Sequence, residues 1–327
     1  MADATDIRQD AVTAAVGSRV RQLLAWLPLA AAALTLVVIV ASATMRHAQA
    51  GLSCADWPSC YARVAEVRIG GETEASVGVR IARLAHRIAA TGVSIAILGL
   101  LLVAWTQRPT QRRLGGWALA ALIVVVALAI LGTRTAGARL PAIALANLLG
   151  GYLLLAALAA AHAAAIPGAA IPRGTRWLAA AGLALALAQA AAGGLISAQF
   201  AGLACPGFPG CGDSGPPALA SGDAWNPLRV PVVTDAHVVA PAGAAGLHLV
   251  HRTAGLLLLG VVLAIAATLS RTRPGLARAL VAVAAAGAGL GVVAAASQPT
   301  LPTVVLHNAC AALLVALLAR AAVRPAA

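Results

Sequence analysis

The chain has 327 residues, of which 61% are hydrophobic and only 10% charged, a composition that excludes a water-soluble globular core and fits a polytopic membrane protein. The formal net charge of +13 comes from 23 arginines and no lysine against 10 acids. In a soluble domain that surplus would point to nucleic acid, but here the arginines stand between apolar runs and read as topology signals.

Residues 1–21 read as a retained polar tail, because the apolar run that follows is too long and its flank too mixed in charge for a cleaved signal peptide. Eight runs are then long enough to cross a hydrocarbon core at about 1.5 Å per residue. They are 22–45, 82–105, 116–135, 141–164, 177–198, 246–268, 279–297 and 303–321. Arg108, Arg112 and Arg113 follow the second span, Arg173 and Arg176 the fourth, Arg271, Arg273 and Arg278 the sixth, and Arg320 and Arg324 lie at the end. These loops carry no acid, so they are expected in the cytoplasm, with both termini. No carboxylate lies within a span, which removes the usual signature of a proton-coupled transporter.

The two long outside loops repeat one motif, GLxCxxxPxC, at residues 51–60 and 202–211. A His-Arg pair then opens the next span in each case, His86-Arg87 and His251-Arg252. The repeat divides the chain into a tail (1–21), an N-terminal four-helix half (22–164), a cytoplasmic linker (165–176), a C-terminal four-helix half (177–321) and a short tail (322–327). The expected fold is therefore an all-α integral membrane protein whose eight helices form two pseudo-symmetric four-helix bundles.

Cys54 with Cys60, and Cys205 with Cys211, are placed where an oxidising compartment would let each pair close locally. Their spacing is neither the redox CxxC nor a usual zinc spacing. A disulfide holding each loop as a cap and an electron-accepting dithiol both remain open. Cys310, inside the last span, reads as a small packing residue.

His251 and His307 each lie about five residues into a span entered from the outside, roughly 8 Å deep by helical rise. Two histidines at one depth on different helices can take the two axial positions of a haem iron. The bland alternative is a hydrogen-bonded residue near a helix end. Arg252 and Arg87 could meet haem propionates through bidentate guanidinium–carboxylate pairs, or snorkel to the headgroups. His248, one turn before His251, reads as an accessory or substrate-facing group, whereas His47, His162 and His237 have no equally placed partner. In the front half His86 corresponds to His251, but the place of His307 falls to Asn147, or to Ala146 if the register moves by one. One candidate ligand instead of two suggests an open or weakly held site.

The paired GLxCxxxPxC loops, the two HR pairs, LVHRTAGLLLL around His251 and the HN-A-x-A-x-LL run from His307 resemble the haem A synthase family over roughly residues 22–321. That resemblance implies haem B held in the C-terminal half by His251 and His307, and haem O handled in the N-terminal half beside His86. It also implies oxidation of a haem methyl to a formyl group for cytochrome c oxidase assembly. Lipid, haem O synthase, an electron acceptor and a second copy of the chain are the partners it suggests. Two departures stand out: where the family often has a carboxylate one turn before the first HR this chain has Arg83, and the second front-half histidine is missing. A non-catalytic haem-binding assembly or carrier protein and a membrane thiol–quinone oxidoreductase are the alternatives.

Overall fold

A computed structural model describes residues 4–52, 56–63, 76–106, 112–135, 140–211 and 222–324. Among these residues the chain forms eight long helices, α1 (Ala4–Gln49), α2 (Val77–Thr106), α3 (Arg112–Thr135), α4 (Pro141–Ala165), α5 (Arg173–Ala198), α6 (Ala244–Leu269), α7 (Pro274–Ala296) and α8 (Leu301–Ala322). All eight contain a stretch long and apolar enough to cross a membrane. The protein is a multi-pass membrane protein. Large apolar side chains such as Ile81, Ile88, Ile95, Leu102, Ile123, Ile130 and Leu256 are more than half exposed, as helices bathed in lipid require.

The expected polar tail is helical from Ala4 onward, continuous with the first span. Its Ala, Arg, Gln and Val residues carry no Gly or Pro before Gly17, so helix propagates past the hydrocarbon boundary without a stop signal. Elsewhere starts are set by proline, whose missing N–H costs nothing in a first helical turn: Pro141 opens α4, Pro274 opens α7 and Pro302 lies in the first turn of α8.

In the first half α1 packs on α2 and α4, and α3 on α2 and α4; in the second α5 packs on α6 and α8, and α7 on α6 and α8. Each half is thus a closed ring of four helices. Across the seam α4 meets α8, α1 meets α8 and α4 meets α5. Exchanging α1 with α5, α2 with α6, α3 with α7 and α4 with α8 leaves this pattern unchanged, so the two halves share one packing topology. Burial follows: α4 is enclosed on all sides from Leu154 to Ala163 and is Ala and Leu throughout except for His162, the pattern of a helix without a solvent or lipid face.

The two loops carrying the cysteine motifs lie against each other at one end of the bundles. The backbone N–H of Gly202 donates to the Tyr61 hydroxyl (3.1 Å). A short antiparallel hairpin, β1 (Val232–Thr234) and β2 (His237–Val239), reaches back to the first loop. There Val238 N–H donates to the Ala62 carbonyl (2.8 Å) and His237 Nε2 to the Ser59 carbonyl (3.1 Å). The second-half loop also reaches the start of α4, where Ala142 N–H donates to the Pro227 carbonyl (2.8 Å). Both motif copies contain a cis prolyl bond at the same place, Trp57-Pro58 and Phe208-Pro209.

Candidate functional site

His251 on α6 and His307 on α8 meet inside the second bundle, near the end that carries the cysteine loops. Their ring centres are 6.3 Å apart and their planes are inclined by 70°. His307 Nδ1 donates to the Gly287 carbonyl on α7 (2.9 Å), which fixes the tautomer and leaves Nε2 as the lone-pair nitrogen. His251 Nδ1 is buried with no hydrogen-bond partner among the described residues.

Glycines make the room. A Cβ at Gly193 on α5 would stand 3.0 Å from His251 Cε1, and one at Gly291 on α7 would stand 3.3 Å from His307 Cε1. Gln189 on α5 donates Nε2 to the His251 carbonyl (2.6 Å), while its Oε1 is buried and unpaired.

This donor set fits a haem. Two imidazoles that share one metal from opposite sides, each through a nitrogen about 2 Å away, place their ring centres about 6 Å apart. A bare ion has less support, since no group of three or more His, Cys, Asp or Glu side chains suited to a metal occurs among the described residues. His251 Nδ1 and Gln189 Oε1, both buried without a partner among the described residues, leave hydrogen-bonding capacity in this pocket that a bound group or water can take up.

Arg252 faces away from the imidazoles and into the disulfide loop. Its Nη1 donates to the carbonyls of Gly207 (2.9 Å), Pro209 (3.2 Å) and Gly210 (2.7 Å), and its Nη2 to that of Cys205 (2.8 Å). Cys205 and Cys211 are joined by a disulfide, and both are buried. The His-Arg dipeptide therefore divides its work between neighbouring helix faces: histidine to the bundle interior, arginine to the cap. His248 Nε2 likewise holds the loop, donating to the Ala201 carbonyl (2.8 Å).

In the first half His86 on α2 is half-buried and makes no hydrogen bond among the described residues, and Arg83 and Arg87 are exposed. Counted from Pro141 and Pro302, Ala146 stands at the place of His307 and Asn147 at that of Asn308. Neither register supplies a second imidazole. Cys60 is buried, and Cys54 lies outside the described residues. Cys310 is a partly buried thiol on α8, its Cβ 3.3 Å from where a Cβ on Gly287 would be.

The residues that sequence reasoning passed over are on α1 and α4. Arg46 and His47 close α1; His47 is 4% exposed and Tyr152 on α4 is 1% exposed. Arg46 Nη2 donates to His47 Nε2 (3.3 Å), and His47 Nδ1 lies 3.5 Å from Ser197 Oγ on α5. Because a guanidinium only donates, His47 Nε2 is the acceptor and Nδ1 carries the proton toward Ser197. Tyr152 donates its hydroxyl to the Asn308 carbonyl on α8 (3.1 Å). The available signal was an arginine in the last turn of a span whose repeat counterpart, 151 residues on, is Ser197.

The sequence profile of a family described as cytochrome oxidase assembly protein matches residues 25–319. A curated relative, the Heme A synthase of Shewanella oneidensis, is 26% identical over 222 residues, covering 63% of this chain and 66% of the relative. The chain thus matches just under two thirds of that relative's length. With nearly all of both bundles inside the profile match, the chain belongs to the cytochrome oxidase assembly protein family.

Proposed function

We propose that this protein is a haem A synthase-like oxidoreductase that converts the methyl group of haem O to a formyl group for cytochrome c oxidase assembly. The observation that carries this reading is the 6.3 Å spacing of the His251 and His307 rings, in a chain of this family with a curated relative named Heme A synthase. His251 and His307 would hold haem B as resident cofactor, which supplies one-electron redox chemistry when bound. The Gly287 carbonyl orients His307, and Gly193 and Gly291 keep the ring positions clear.

In the first half His86 faces the substrate haem, and the exposed Arg87 guanidinium is available to an acid group of that substrate. Conversion of methyl to formyl takes one oxygen from water and releases four protons and four electrons, the electrons passing to a one-electron acceptor of the membrane. The eight apolar spans and the unpaired basic loops suit a bacterial inner membrane with both termini cytoplasmic. Pigment extraction and mass analysis from a synthase-null bacterium expressing the chain tests the activity. Haem A in the extract is the expected result; bound haem with no haem A overturns the catalytic reading.

A second reading, a haem-binding assembly or carrier protein without turnover, is favoured by Arg83 and by the lone front-half histidine. It predicts haem O retained unchanged in that same extract. For a thiol–quinone oxidoreductase the support is weaker, since Arg252 grips the Cys205–Cys211 loop through four carbonyls.

A further inference from the structure

Arg46 is a cation without an anion. Its Nε is buried and has no hydrogen-bond partner among the described residues, and the His47 ring on Nη2 is a neutral acceptor. The ion pair found among those residues is Arg229 with Asp223, in the loop before α6. A guanidinium withdrawn from water is costly unless an anion completes it.

Its surroundings say which anion. Arg46 is close enough to Tyr152 for their charges to be felt, and the Tyr152 hydroxyl is committed to the Asn308 carbonyl, one residue past His307. His47 in turn is an electrostatic neighbour of His307 itself. The cation therefore belongs to the first half by sequence but lies at the seam, where α1 packs on α8 and His47 reaches Ser197 on α5. The other arginine near this pocket, Arg252, has both Nη atoms engaged by the disulfide loop.

We propose that Arg46 is the carboxylate-binding residue for the tetrapyrrole held between His251 and His307, receiving one acid side chain of the macrocycle on its free guanidinium edge. His47 is a positioning residue: by accepting from Nη2 and donating toward Ser197 it sets the plane of the guanidinium. Arginine suits the task because its rigid fork matches a carboxylate and stays charged when desolvated. The inference rests on the haem reading given above. Its added content is that the first half supplies part of the binding site of the second.

The test uses the full-length chain purified without haem and titrated, by Soret absorbance, with iron protoporphyrin IX and with its dimethyl ester, which keeps the iron but carries no carboxylate. Wild-type protein should bind the free acid at least about tenfold more tightly than the ester, the size of one hydrogen-bonded charge pair. Arg46→Met should remove most of that preference while leaving ester affinity within about twofold, and Arg46→Lys should restore part of it. The thermal midpoint of haem-free Arg46→Met should equal or exceed that of wild type, because the substitution removes an uncompensated buried charge. An unchanged preference in Arg46→Met overturns the proposal, as does a lower midpoint in the haem-free variant, which would make Arg46 a structural hydrogen-bond donor to His47. A wild-type protein giving a low-spin spectrum with neither pigment overturns the haem reading, and the assignment of Arg46 with it.

Discussion

The hydroxyl of Tyr152 on α4 donates to the carbonyl of Asn308 on α8, 3.1 Å away, so a side chain of the first half holds the backbone beside an imidazole of the second. Tyr152 is 1% exposed, and its bond is made in a region without water to replace it. Tyr152→Phe should lower stability by about 1 kcal/mol, the net worth of one such bond, read as a lower thermal midpoint in detergent. A midpoint equal to wild type would show that the bond adds nothing.

His251→Ala and His307→Ala should each abolish a low-spin bis-imidazole absorption spectrum of protein purified with its pigment. Their rings are the two imidazoles that face each other in this pocket, 6.3 Å apart. His237→Ala, in the loop hairpin and bonded to the Ser59 carbonyl, should leave the spectrum intact. A low-spin spectrum surviving either of the first two substitutions would reject the ligand pair.

Gly193→Ala tests the space around His251. The added methyl would sit 3.0 Å from Cε1 of the ring, tighter than ordinary contact, and overpacking of this kind costs about 1–3 kcal/mol. Haem retention should drop. Gly289→Ala, where a Cβ meets nothing within 4 Å, should be neutral, and equal retention by the two variants would count against a preformed slot.

Arg252→Met should free the Cys205–Cys211 loop, whose four carbonyls then lose their donor. Stability should fall by about 1–3 kcal/mol, and limited proteolysis should cut near Gly207–Gly210. Arg87→Met, at the matching but exposed position, should leave the proteolytic pattern unchanged. If both variants resist cleavage as wild type does, Arg252 does not hold the cap.

Burial pushes the Tyr61 phenol up to about 12 from an ordinary 10.0, with the Gly202 N–H bond pulling the other way. A raised value means that the folded state favours the neutral phenol. Its contribution to stability is complete below about pH 10 and is lost as pH climbs toward about 12. Tyr61→Phe should flatten that alkaline limb of the stability profile, and an unaltered limb would place the titration elsewhere.

Much of the architecture was legible because lipid imposes a simple rule: eight apolar runs separated by arginine-bearing loops can only be spans. The helical extension of α1 was not, since residues 4–21 combine polar character with good helix propensity and composition alone does not separate a tail from a protruding helix. The matched depth of His251 and His307 follows from their offsets along two helices. Their 6.3 Å approach does not, because it depends on how α5 and α7 yield space through Gly193 and Gly291. The partners of Arg252 are backbone carbonyls, which leave no trace in side-chain pattern. Arg46 reads as an ordinary residue at a span end until its surroundings are known.

The contacts between the two cysteine-motif loops have a mechanical consequence. Ser59, Tyr61 and Ala62 of the first cover are bonded to Gly202, His237 and Val238 of the second, and α4 begins on the Pro227 carbonyl. Lifting one cover pulls on the other. Displacing either loop must break or drag these hydrogen bonds, so the two loops should resist unfolding and exchange their backbone amide hydrogens as one unit.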